Sequence, residues 1–558
     1  MEYKRFRVPN RDVKLTEEFE VAVACTRTFQ RLFYLKQLGL AHLVYPCAAH
    51  TRAGHSIECL DEASKILDSL DIREGKDGWV EVRMAALLHD IGHIPFSHTL
   101  EDENEVLPKH DKGERLERVL GNLKKEIAKE VGALVEKATP ILMAISTREE
   151  KRQDWRSDLV GNTVCADLLA YITTDAAWTG IEKRPGYYRI YDYFRISDKQ
   201  SSDGTNQKRL CIGLTKGGLR MDVVSAILDL MDMRYALTER VIYHHAKAMA
   251  SAMLARACRL CGLTDLPILL EMGDERFLDY LDKQADEYRD RKASAGAKVL
   301  LEHLRSRRLY KRIFKVQREA MEEWDRSKSK NDNDTFCARW RNGPMIEETL
   351  AKIEDRFNLP RGTLVLWCPE GRSGMKLVEV NVAWDQPGGI HPPVELRSKD
   401  VQRQFPAVHR RVETIERQYL GLWTFWVGIH PEHIRDAPGV IAALSSELEI
   451  ECDPVFIETY AKTRLEGFAE SARLQATLED TWQAEVMPEV SQKILDVAAR
   501  PGGEVDSAVI TEAIHVVSAQ KRQTTKKAEK RRTSEQPKLP GVDEKGDVLK
   551  WLRIGTVW

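Results

Sequence analysis

The sequence predicts a mainly α-helical protein in which a helical core is followed by a smaller α+β lobe. Apolar residues recur at helical spacing through 221–233 and 241–263, within a region from 16 to about 310 whose pattern is mostly helical. Acidic and basic residues alternate through 274–315, which is typical of a solvated helix that we expect to include 309–312. The end of this pattern predicts a domain boundary near residue 310.

Strand patterns occur at a few places only. We expect one β-hairpin inside the helical region, with the polar loop 197–208 between its strands. In the lobe, two strands are predicted on either side of a Pro/Gly-containing turn, and a third precedes a helical stretch from 431 to 487. The strand candidates are 187–194, 209–214, 362–368, 375–382 and 419–429.

The composition indicates a substantial core and no general attraction to nucleic acid. The 558 residues are 42% hydrophobic and 31% charged, and a net charge of −2 provides no basic field. We find no uncharged apolar run of about 18 residues and no signal sequence, since charged residues follow Met1 directly. Ten cysteines in this length indicate reduced core thiols. We expect a cytoplasmic protein, nuclear if the organism is a eukaryote, without a membrane partner.

Four residues form a ligand pattern for divalent metal ions: His55, the dipeptide His89-Asp90 and Asp167. Imidazole nitrogen together with carboxylate oxygen suits manganese, iron or zinc, and a free carboxylate can bridge magnesium. The dipeptide follows an apolar helical stem and precedes Gly92, where backbone can approach a ligand closely. The pattern predicts hydrolysis of a phosphate ester. By itself it leaves open a monoester phosphatase, a cyclic-nucleotide phosphodiesterase or a nuclease.

Five motifs follow one another in order around these ligands. They are Phe29-Gln30-Arg31-Leu32, Lys36-Gln37-Leu38-Gly39, Tyr45-Pro46, Thr51-Arg52-Ala53-Gly54-His55-Ser56 and Leu88-His89-Asp90-Ile91-Gly92-His93-Ile94-Pro95-Phe96-Ser97-His98. On these motifs the chain resembles the HD-domain deoxynucleoside triphosphate triphosphohydrolases, which include the bacterial dGTPases and the SAM-and-HD-domain dNTPase of animal cells. The resemblance runs from about residue 20 to 260, and weakly to about 390.

The resemblance implies a reaction and its catalytic residues. His55, His89, Asp90 and Asp167 would hold the metal, with Mg²⁺ accompanying the triphosphate, and water would attack the α-phosphorus to give deoxynucleoside and tripolyphosphate. Two histidines match those near the leaving 5′-oxygen, which needs a proton, and each has an acid nearby that could orient it. These predicted catalytic residues are His98 with Glu101, and His110 with Asp111.

The resemblance also implies contacts to substrate. Asp167, Tyr171 and Asp175 are four residues apart, so they share one face of a helix. In the family the tyrosine stacks on the deoxyribose and excludes a 2′-hydroxyl, whereas the aspartate helps to hold the 3′-hydroxyl. Residues matching other family contacts are Gln37 and Leu38 beside the sugar, and Arg52, Arg240 and His244 at the triphosphate.

Regulation is expected to depart from the family pattern. Where the animal enzyme binds guanine through an acid and an arginine, this sequence has Cys25 and Phe33, neither of which can pair with guanine. We therefore expect constitutive activity or an activator other than GTP, most plausibly a deoxynucleotide. The family further implies a homo-oligomer, as a tetramer or hexamer, and an antiviral role by dNTP depletion as an extension.

The domain organisation combines these observations. Residues 1–310 are predicted to form the HD catalytic domain and 311–515 a C-terminal α+β lobe for oligomerisation or regulation. A basic flexible linker, 516–545, and a docking tail with two tryptophans, 546–558, would follow. Two other readings remain: another HD phosphohydrolase, such as a cyclic-nucleotide phosphodiesterase or nuclease, or a nucleotide-sensing scaffold that binds nucleic acid through the basic linker.

Overall fold

The computed structural model describes most of the chain up to residue 457. The described ranges are 4–8, 11–108, 113–147, 152–182, 186–200, 204–216, 218–264, 267–331, 334–370, 380–387 and 389–457. Met1–Phe456 form one compact unit, and Ile457–Trp558 form a second unit that falls almost wholly outside these ranges. The predicted linker and docking tail therefore lie outside the described residues. The boundary near residue 310 stays a prediction.

Helices dominate the first part of the chain, which confirms the mainly α fold class. A short antiparallel hairpin, β1 (Lys4–Val8) with β2 (Arg11–Leu15), precedes them. In chain order the helices are α1 (Glu18–Ala24), α2 (Arg27–Gln30), α3 (Arg52–Ser69), α4 (Trp79–Leu88), α5 (Gly113–Lys125), α6 (Lys129–Thr147), α7 (Trp155–Gly161), α8 (Ala166–Trp178), α9 (Met221–Leu237), α10 (His245–Leu260), α11 (Asp274–Glu287) and α12 (Arg291–Arg305).

The centre of this helical region is α4. Its residues from Val82 to Leu88 are all buried, and a helix that is apolar on every side must be surrounded by other elements. Helix α3 packs against both α4 and α8, while α10 packs on α12. This arrangement brings the ends of α4 and α8 beside α3.

The predicted β-hairpin is present, although its first strand begins later than expected. Strand β3 (Phe194–Gln200) pairs antiparallel with β4 (Asn206–Gly213). Residues Tyr187–Tyr193 instead form a 3₁₀ helix that packs on α9. Tyr187, Ile190 and Tyr193 are buried at intervals of three, which matches the three residues per turn of a 3₁₀ helix. Packing against α9 therefore prevails over the strand propensity of these aromatic residues.

The remaining elements belong to the α+β region. In chain order they are β5 (Lys311–Gln317), α13 (Arg318–Lys328), α14 (Phe336–Arg341), α15 (Gly343–Arg356), β6 (Leu364–Trp367), β7 (Asn381–Ala383), β8 (Asp385–Gln386), β9 (Gly389–Ile390), β10 (Val394–Glu395), α16 (Lys399–Gln404), α17 (Pro406–Leu420), β11 (Thr424–Ile429) and α18 (Ala437–Leu448). Between β11 and α18 lies the 3₁₀ helix Pro431–Asp436. The part of the predicted helical stretch 431–487 that follows residue 457 is outside the described residues.

Two sheets organise this region. A three-stranded antiparallel sheet has the order β5-β11-β6, and a four-stranded sheet has the order β10-β7-β4-β3. The predicted neighbours β6 and β7 lie in different sheets, because β6 pairs with β11 whereas β7 pairs in parallel with β4. The second sheet thus joins two strands from the helical part of the chain, β3 and β4, to two strands from the later part, β7 and β10.

The expectation that 309–312 belong to a solvated helix is wrong. Helix α12 ends at Arg305, and the chain continues into β5. In β5 the apolar residues Ile313, Phe314 and Val316 are buried, Lys311 is exposed, and Arg312 and Lys315 are half-buried. Among the described residues no helix combines the length and the apolar character that crossing a membrane would require.

Candidate metal centre

Three helices bring the four predicted metal ligands together. His55 lies in the first turn of α3, which Thr51 caps by accepting a backbone hydrogen bond. His89 and Asp90 follow directly on the buried helix α4. Asp167 lies in the first turn of α8, where the helix dipole favours a carboxylate. Helix packing therefore positions ligands that are far apart in the sequence.

The ligand atoms form a tight cluster. Those of His55, His89 and Asp167 all lie within 4.8 Å of one another. Nε2 of His55 is 3.1 Å from Nε2 of His89 and 3.1 Å from Oδ1 of Asp167. The carboxylate of Asp90 adds Oδ2 at 3.7 Å from Nε2 of His55 and Oδ1 at 3.5 Å from Nε2 of His89. Two imidazoles and two carboxylates that converge in this way fit a divalent metal.

The outer contact of His89 and the charges around His55 suit metal binding. Nδ1 of His89 is 2.8 Å from the carbonyl oxygen of Ala86, so Nδ1 donates and the Nε2 lone pair faces the cluster. Burial lowers the pKa of His55, but the hydrogen bond to Asp167 and the charges of Asp90 and Asp167 outweigh burial and raise it above its ordinary value. The negative charge of the cluster therefore attracts a cation.

Asp90 is held in place by cationic neighbours. Nη1 of Arg52 donates to Oδ2 of Asp90 at 2.6 Å, and Nε2 of His93 lies 3.2 Å from Oδ1. Burial by itself would raise the pKa of Asp90, but His89, Arg52 and His93 hold it well below its usual range. Arg52 was predicted to contact the triphosphate, and here its guanidinium also donates to Ser97 and to the backbone, so all its contacts are internal.

Two residues of the motifs before His55 shape the loop that follows α4, from Ile91 to Phe96. Arg31 is buried and donates to the carbonyl oxygens of Ile91 at 2.9 Å and His93 at 2.6 Å. Gly39 has a φ of +53°, and a Cβ atom there would lie 3.1 Å from the carbonyl oxygen of Phe96. Only glycine permits this close approach without strain. The structure thus gives physical roles to Arg31 and Gly39, which the sequence presented only as parts of motifs.

The predicted sugar-binding face of α8 extends from the metal ligand Asp167. The ring of Tyr171 lies 6.4 Å from that of His55. Oδ1 of Asp175 lies 2.8 Å from Nε2 of His50, a partner that sequence reasoning missed. His50 precedes the Thr-Arg-Ala-Gly-His motif directly, and this position was the one available signal for it.

The two predicted sugar neighbours Gln37 and Leu38 lie next to this region. Gln37 is buried and its backbone amide donates to the His50 carbonyl oxygen at 2.8 Å. The side-chain Oε1 of Gln37 is buried without a hydrogen-bond partner among the described residues. Leu38 is half-buried. An unpaired buried acceptor close to Asp175 suits a ligand that brings a hydroxyl donor.

Sequence reasoning also missed a cation beside the metal centre. Arg234, on α9, is half-buried and acts electrostatically on Tyr171, Tyr419 and Asp167. Burial lowers the pKa of Arg234, but these three groups outweigh burial and raise it. Within the described part of the chain its guanidinium makes no hydrogen bond or ion pair. The helical pattern gave no reason to prefer Arg234 over Arg240, because the two arginines differ only in their tertiary neighbours, which a local sequence pattern does not reveal.

The predicted triphosphate contacts Arg240 and His244 lie together beside Tyr45. Arg240 follows α9 on a π-helical turn, its side chain is 62% exposed, and its nearest acid is Glu239 at 4.0 Å. His244 caps α10 and has its ring 5.9 Å from that of Tyr45. The hydroxyl of Tyr45 donates to the Arg240 carbonyl oxygen at 2.5 Å. Among the described residues, no hydrogen bond, ion pair or ring contact links Arg240, His244 or Tyr45 to the metal cluster.

One predicted general acid, His98, lies in the loop that follows His89 and Asp90. Nδ1 of His98 lies 2.5 Å from Oδ2 of Asp102, so the acid next to this histidine is Asp102. Glu101, predicted as the orienting acid, is completely buried and pairs with Arg115, and its Oε2 lies 3.8 Å from Nδ1 of His93. His110 and Asp111 lie outside the described residues.

Comparison with known proteins identifies the domain. Residues 52–158 match the family model of the HD domain. An uncharacterised protein of Methanocaldococcus jannaschii is 31% identical over 254 residues, which are 44% of this chain and 47% of that protein. The deoxynucleoside triphosphate triphosphohydrolase SAMHD1 homolog of Dictyostelium discoideum is 24% identical over 312 residues, 52% of this chain and 56% of that protein.

A solved structure shows a similar fold. A phosphohydrolase from Bacteroides thetaiotaomicron aligns with a TM-score of 0.52 and 18% identity, over 76% of this chain and all of that one. The chain spans about half the length of the curated relatives that it matches. The His and Asp cluster lies within and just after the matched region, and it has the donor set by which HD domains bind divalent metals. Residues 52–158 therefore form an HD domain, and the chain around it is similar to HD-domain phosphohydrolases.

Proposed function

We propose that this protein is a metal-dependent dNTP triphosphohydrolase that cleaves a dNTP into deoxynucleoside and tripolyphosphate. The observation that carries the proposal is the continuous face of α8, on which the metal ligand Asp167 is followed by Tyr171 and by the His50-bound Asp175. A phosphate site and a sugar site so close together suit a nucleotide whose α-phosphorus is attacked. Relatives named as dNTP triphosphohydrolases, at 24% identity, support the same substrate class.

The metal centre provides the site of attack. His55, His89, Asp90 and Asp167 would hold the metal, of which manganese, iron or zinc suits the mixed nitrogen and oxygen donors. When bound, the ion supplies a Lewis acid that polarises the phosphate and lowers the pKa of a coordinated water. Magnesium would accompany the triphosphate.

The chain's own residues orient the substrate. Next to Tyr171, Arg234 provides a guanidinium that makes no hydrogen bond or ion pair within the described residues. We assign to it the binding of a phosphate oxygen of the substrate. Tyr171 would cover the sugar where a ribonucleotide carries its 2′-hydroxyl, and Asp175 and Gln37 would accept from the 3′-hydroxyl. Arg52 donates a hydrogen bond to Asp90, so Arg52 would support the site by fixing the position of Asp90.

The leaving 5′-oxygen needs a proton when its bond to phosphorus breaks. His98 can give that proton from Nε2, because the carboxylate of Asp102 contacts Nδ1 and orients the ring. The side chain of His98 is 45% exposed, so it can take up a replacement proton from solvent. His110, the other predicted acid, stays a candidate for the same role.

Activation by GTP is not part of the proposed function. The thiol of Cys25 accepts a hydrogen bond from Nζ of Lys4 at 2.8 Å, and Phe33 stacks on Phe6 with ring centroids 6.4 Å apart. Neither Cys25 nor Phe33 itself supplies the carboxylate or the cation that stands at its position in the animal enzyme. We propose a homo-oligomer that is constitutive or responds to a deoxynucleotide.

Product analysis by chromatography tests this proposal. Purified protein with Mn²⁺ would be incubated with each dNTP, singly and in mixtures, beside a His55→Gln variant and a His303→Gln control. Deoxynucleoside and tripolyphosphate from the wild type and the control, and not from His55→Gln, are expected. Activity in mixtures only would identify an activating deoxynucleotide, and GTP alone should not stimulate. Turnover of a cyclic nucleotide or of nucleic acid, with none of any dNTP, would refute the proposal.

A further inference from the structure

The segment from His98 to Glu105, which we call the acid loop, carries His98 and its partner Asp102. It contains one 3₁₀ turn and is otherwise without regular structure. Two backbone hydrogen bonds close turns inside the loop, from the Glu103 amide to the His98 carbonyl oxygen at 2.9 Å and from the Glu105 amide to the Glu101 carbonyl oxygen at 3.1 Å. Contacts from other elements add to these turns and fix the loop against the rest of the protein.

Arg341 contacts the acid loop from outside the HD domain. It is the last residue of α14, and it is buried although it carries a full charge. Nη2 donates to the carbonyl oxygen of Asp102 at 2.6 Å, and Nη1 donates to that of Cys368, at the end of β6, at 2.8 Å. Nε donates to Oε1 of Glu105 at 2.9 Å. One planar guanidinium thereby ties the loop to both α14 and the three-stranded sheet.

The far end of the loop has a conformation that requires such support. Glu105 has a φ of +48°, a left-handed conformation that is unfavourable for a residue with a side chain. Arg341 binds its carboxylate. Helix α10 holds the middle of the loop, where Lys247 pairs with Glu103 and Arg259 donates to the Asn104 carbonyl oxygen at 2.7 Å.

We propose that Arg341 is a positioning residue for the proton donor: it fixes the backbone of Asp102, and Asp102 in turn aligns the His98 ring. The inference rests on the proposed function for its catalytic consequence. Within the part of the chain that the structure describes, Arg341 makes no hydrogen bond or ion pair with His55, His89, Asp90, Asp167 or the substrate face of α8, so its effect on the site would pass through the loop. The geometry of the catalytic loop is then set in part by α14, a helix far beyond the matched HD segment 52–158.

The guanidinium is essential to this role because it donates hydrogen bonds in different directions in one plane, the fourth being a longer one from Nη1 to the Glu103 carbonyl oxygen at 3.4 Å. Lysine has a single ammonium group and cannot reach two carbonyl oxygens and a carboxylate that are spread in this way. Methionine keeps the apolar stem and removes every donor. The two substitutions therefore separate loss of the charge from loss of the fork geometry.

The experiment compares Arg341→Met, Arg341→Lys, Asp102→Asn and the double variant Arg341→Met/Asp102→Asn. Arg361→Met is the matched control, since Arg361 also donates to a backbone carbonyl oxygen and to acids, at Ala351, Glu354 and Asp355, without touching the loop. Kinetics, bound Mn²⁺ and hydrogen exchange of the peptide that spans the acid loop would be measured. Hydrogen exchange needs no substrate, so it tests the clamp even when no dNTP is turned over.

We expect Arg341→Met to lower kcat by about 10²-fold, as displacement of a catalytic group does, with KM and bound Mn²⁺ nearly unchanged. Arg341→Lys should recover little, and the double variant should be no slower than Asp102→Asn. Exchange should rise in the acid loop for Arg341→Met and not for Arg361→Met. Unchanged exchange in the loop, an equal loss in Arg361→Met, or additive losses in the double variant would each overturn the inference. Should the Met variant fail to fold, Arg341→Lys supplies the same comparison.

Discussion

Two pairs of histidines in this protein approach each other equally closely but have different neighbours. Nε2 of His55 lies 3.1 Å from Nε2 of His89 in the metal centre. Nε2 of His303, on α12, lies 3.1 Å from Nε2 of His430, which follows β11. Both pairs are shielded from solvent. The distance between the rings therefore does not distinguish them.

The charges around the two pairs do distinguish them. The carboxylates of Asp90 and Asp167 lie against the first pair, and they raise the pKa of His55 above its ordinary value in spite of burial. At the second pair burial and the neighbouring His303 lower the pKa of His430 to about 4, although Glu432 acts in the opposite sense. A close pair of imidazoles attracts a cation only when carboxylates accompany it.

The hydrogen bonds of the second pair are complete with both rings neutral. The Glu432 amide donates to Nδ1 of His430, so Nε2 of His430 carries the proton and donates to His303. Nδ1 of His303 can then donate to the Arg308 carbonyl oxygen at 3.1 Å. Protonation of either ring would bring two N–H groups face to face. The pair joins α12 to the chain after β11 as a neutral link.

The largest effect that would sharpen this contrast is loss of the metal. His55→Gln should lose bound Mn²⁺ and reduce turnover by roughly 10³-fold or more, because a ligand and its charge-matched position are removed. His303→Gln should keep its Mn²⁺ and its turnover. Elemental analysis after dialysis, with the product assay, measures both. Retention of metal by His55→Gln, or its loss from His303→Gln, would break the comparison.

A smaller effect is expected from two arginines that, like the two histidine pairs, differ in their charged neighbours. Arg234 acts on Asp167 and Tyr171 without an ion pair of its own, whereas Arg240 is 62% exposed. Arg234→Gln should reduce kcat/KM by about 10²-fold, because it removes the cation that would pair with a phosphate oxygen of the bound substrate. Arg240→Gln should change kcat/KM in a single-dNTP assay by only about 2-fold, in line with the small energies of exposed charges. The opposite ranking would assign the substrate phosphate to Arg240.

The smallest effect concerns acid stability. Because the pKa of His430 is lowered to about 4 from 6.5, the unfolded chain binds more protons between these values. The contribution of the neutral pair to stability is therefore complete above pH 6.5 and is lost as the pH falls towards 4. His430→Gln should lower Tm at pH 7.5 and reduce the fall in Tm between pH 7.5 and 5, by about 2–4 °C, in thermal unfolding followed by circular dichroism.

His433→Gln is the control for acid stability. His433 is 30% exposed and lies 3.5 Å from Asp436. The groups that act on His430 are His303, Arg308, Glu432 and His433, so removal of the last alone should leave most of the pH dependence. An equal change in both variants would show that the buried pair is not the source.

Much of the fold class and of the metal centre could be predicted because these rest on local patterns. Apolar spacing predicted the helices, and the order of the motifs predicted which histidines and aspartates would meet. The strand β5 was missed because its residues Lys311, Arg312 and Lys315 continue the charge pattern of the preceding helix. Its neighbour β11 comes more than a hundred residues later, and no local signal announces that pairing.

The sequence by itself predicted the candidate metal ligands, the helical core and the resemblance to HD-domain phosphohydrolases. Only the tertiary structure decided that Asp102 faces His98, that His50 holds Asp175, that Arg234 rather than Arg240 lies beside Tyr171, and that Arg341 ties the acid loop to α14. The physical reason is that helix and strand propensities act between residues a few positions apart. Hydrogen bonds and charges act between whichever groups the packing brings together, regardless of their separation along the chain.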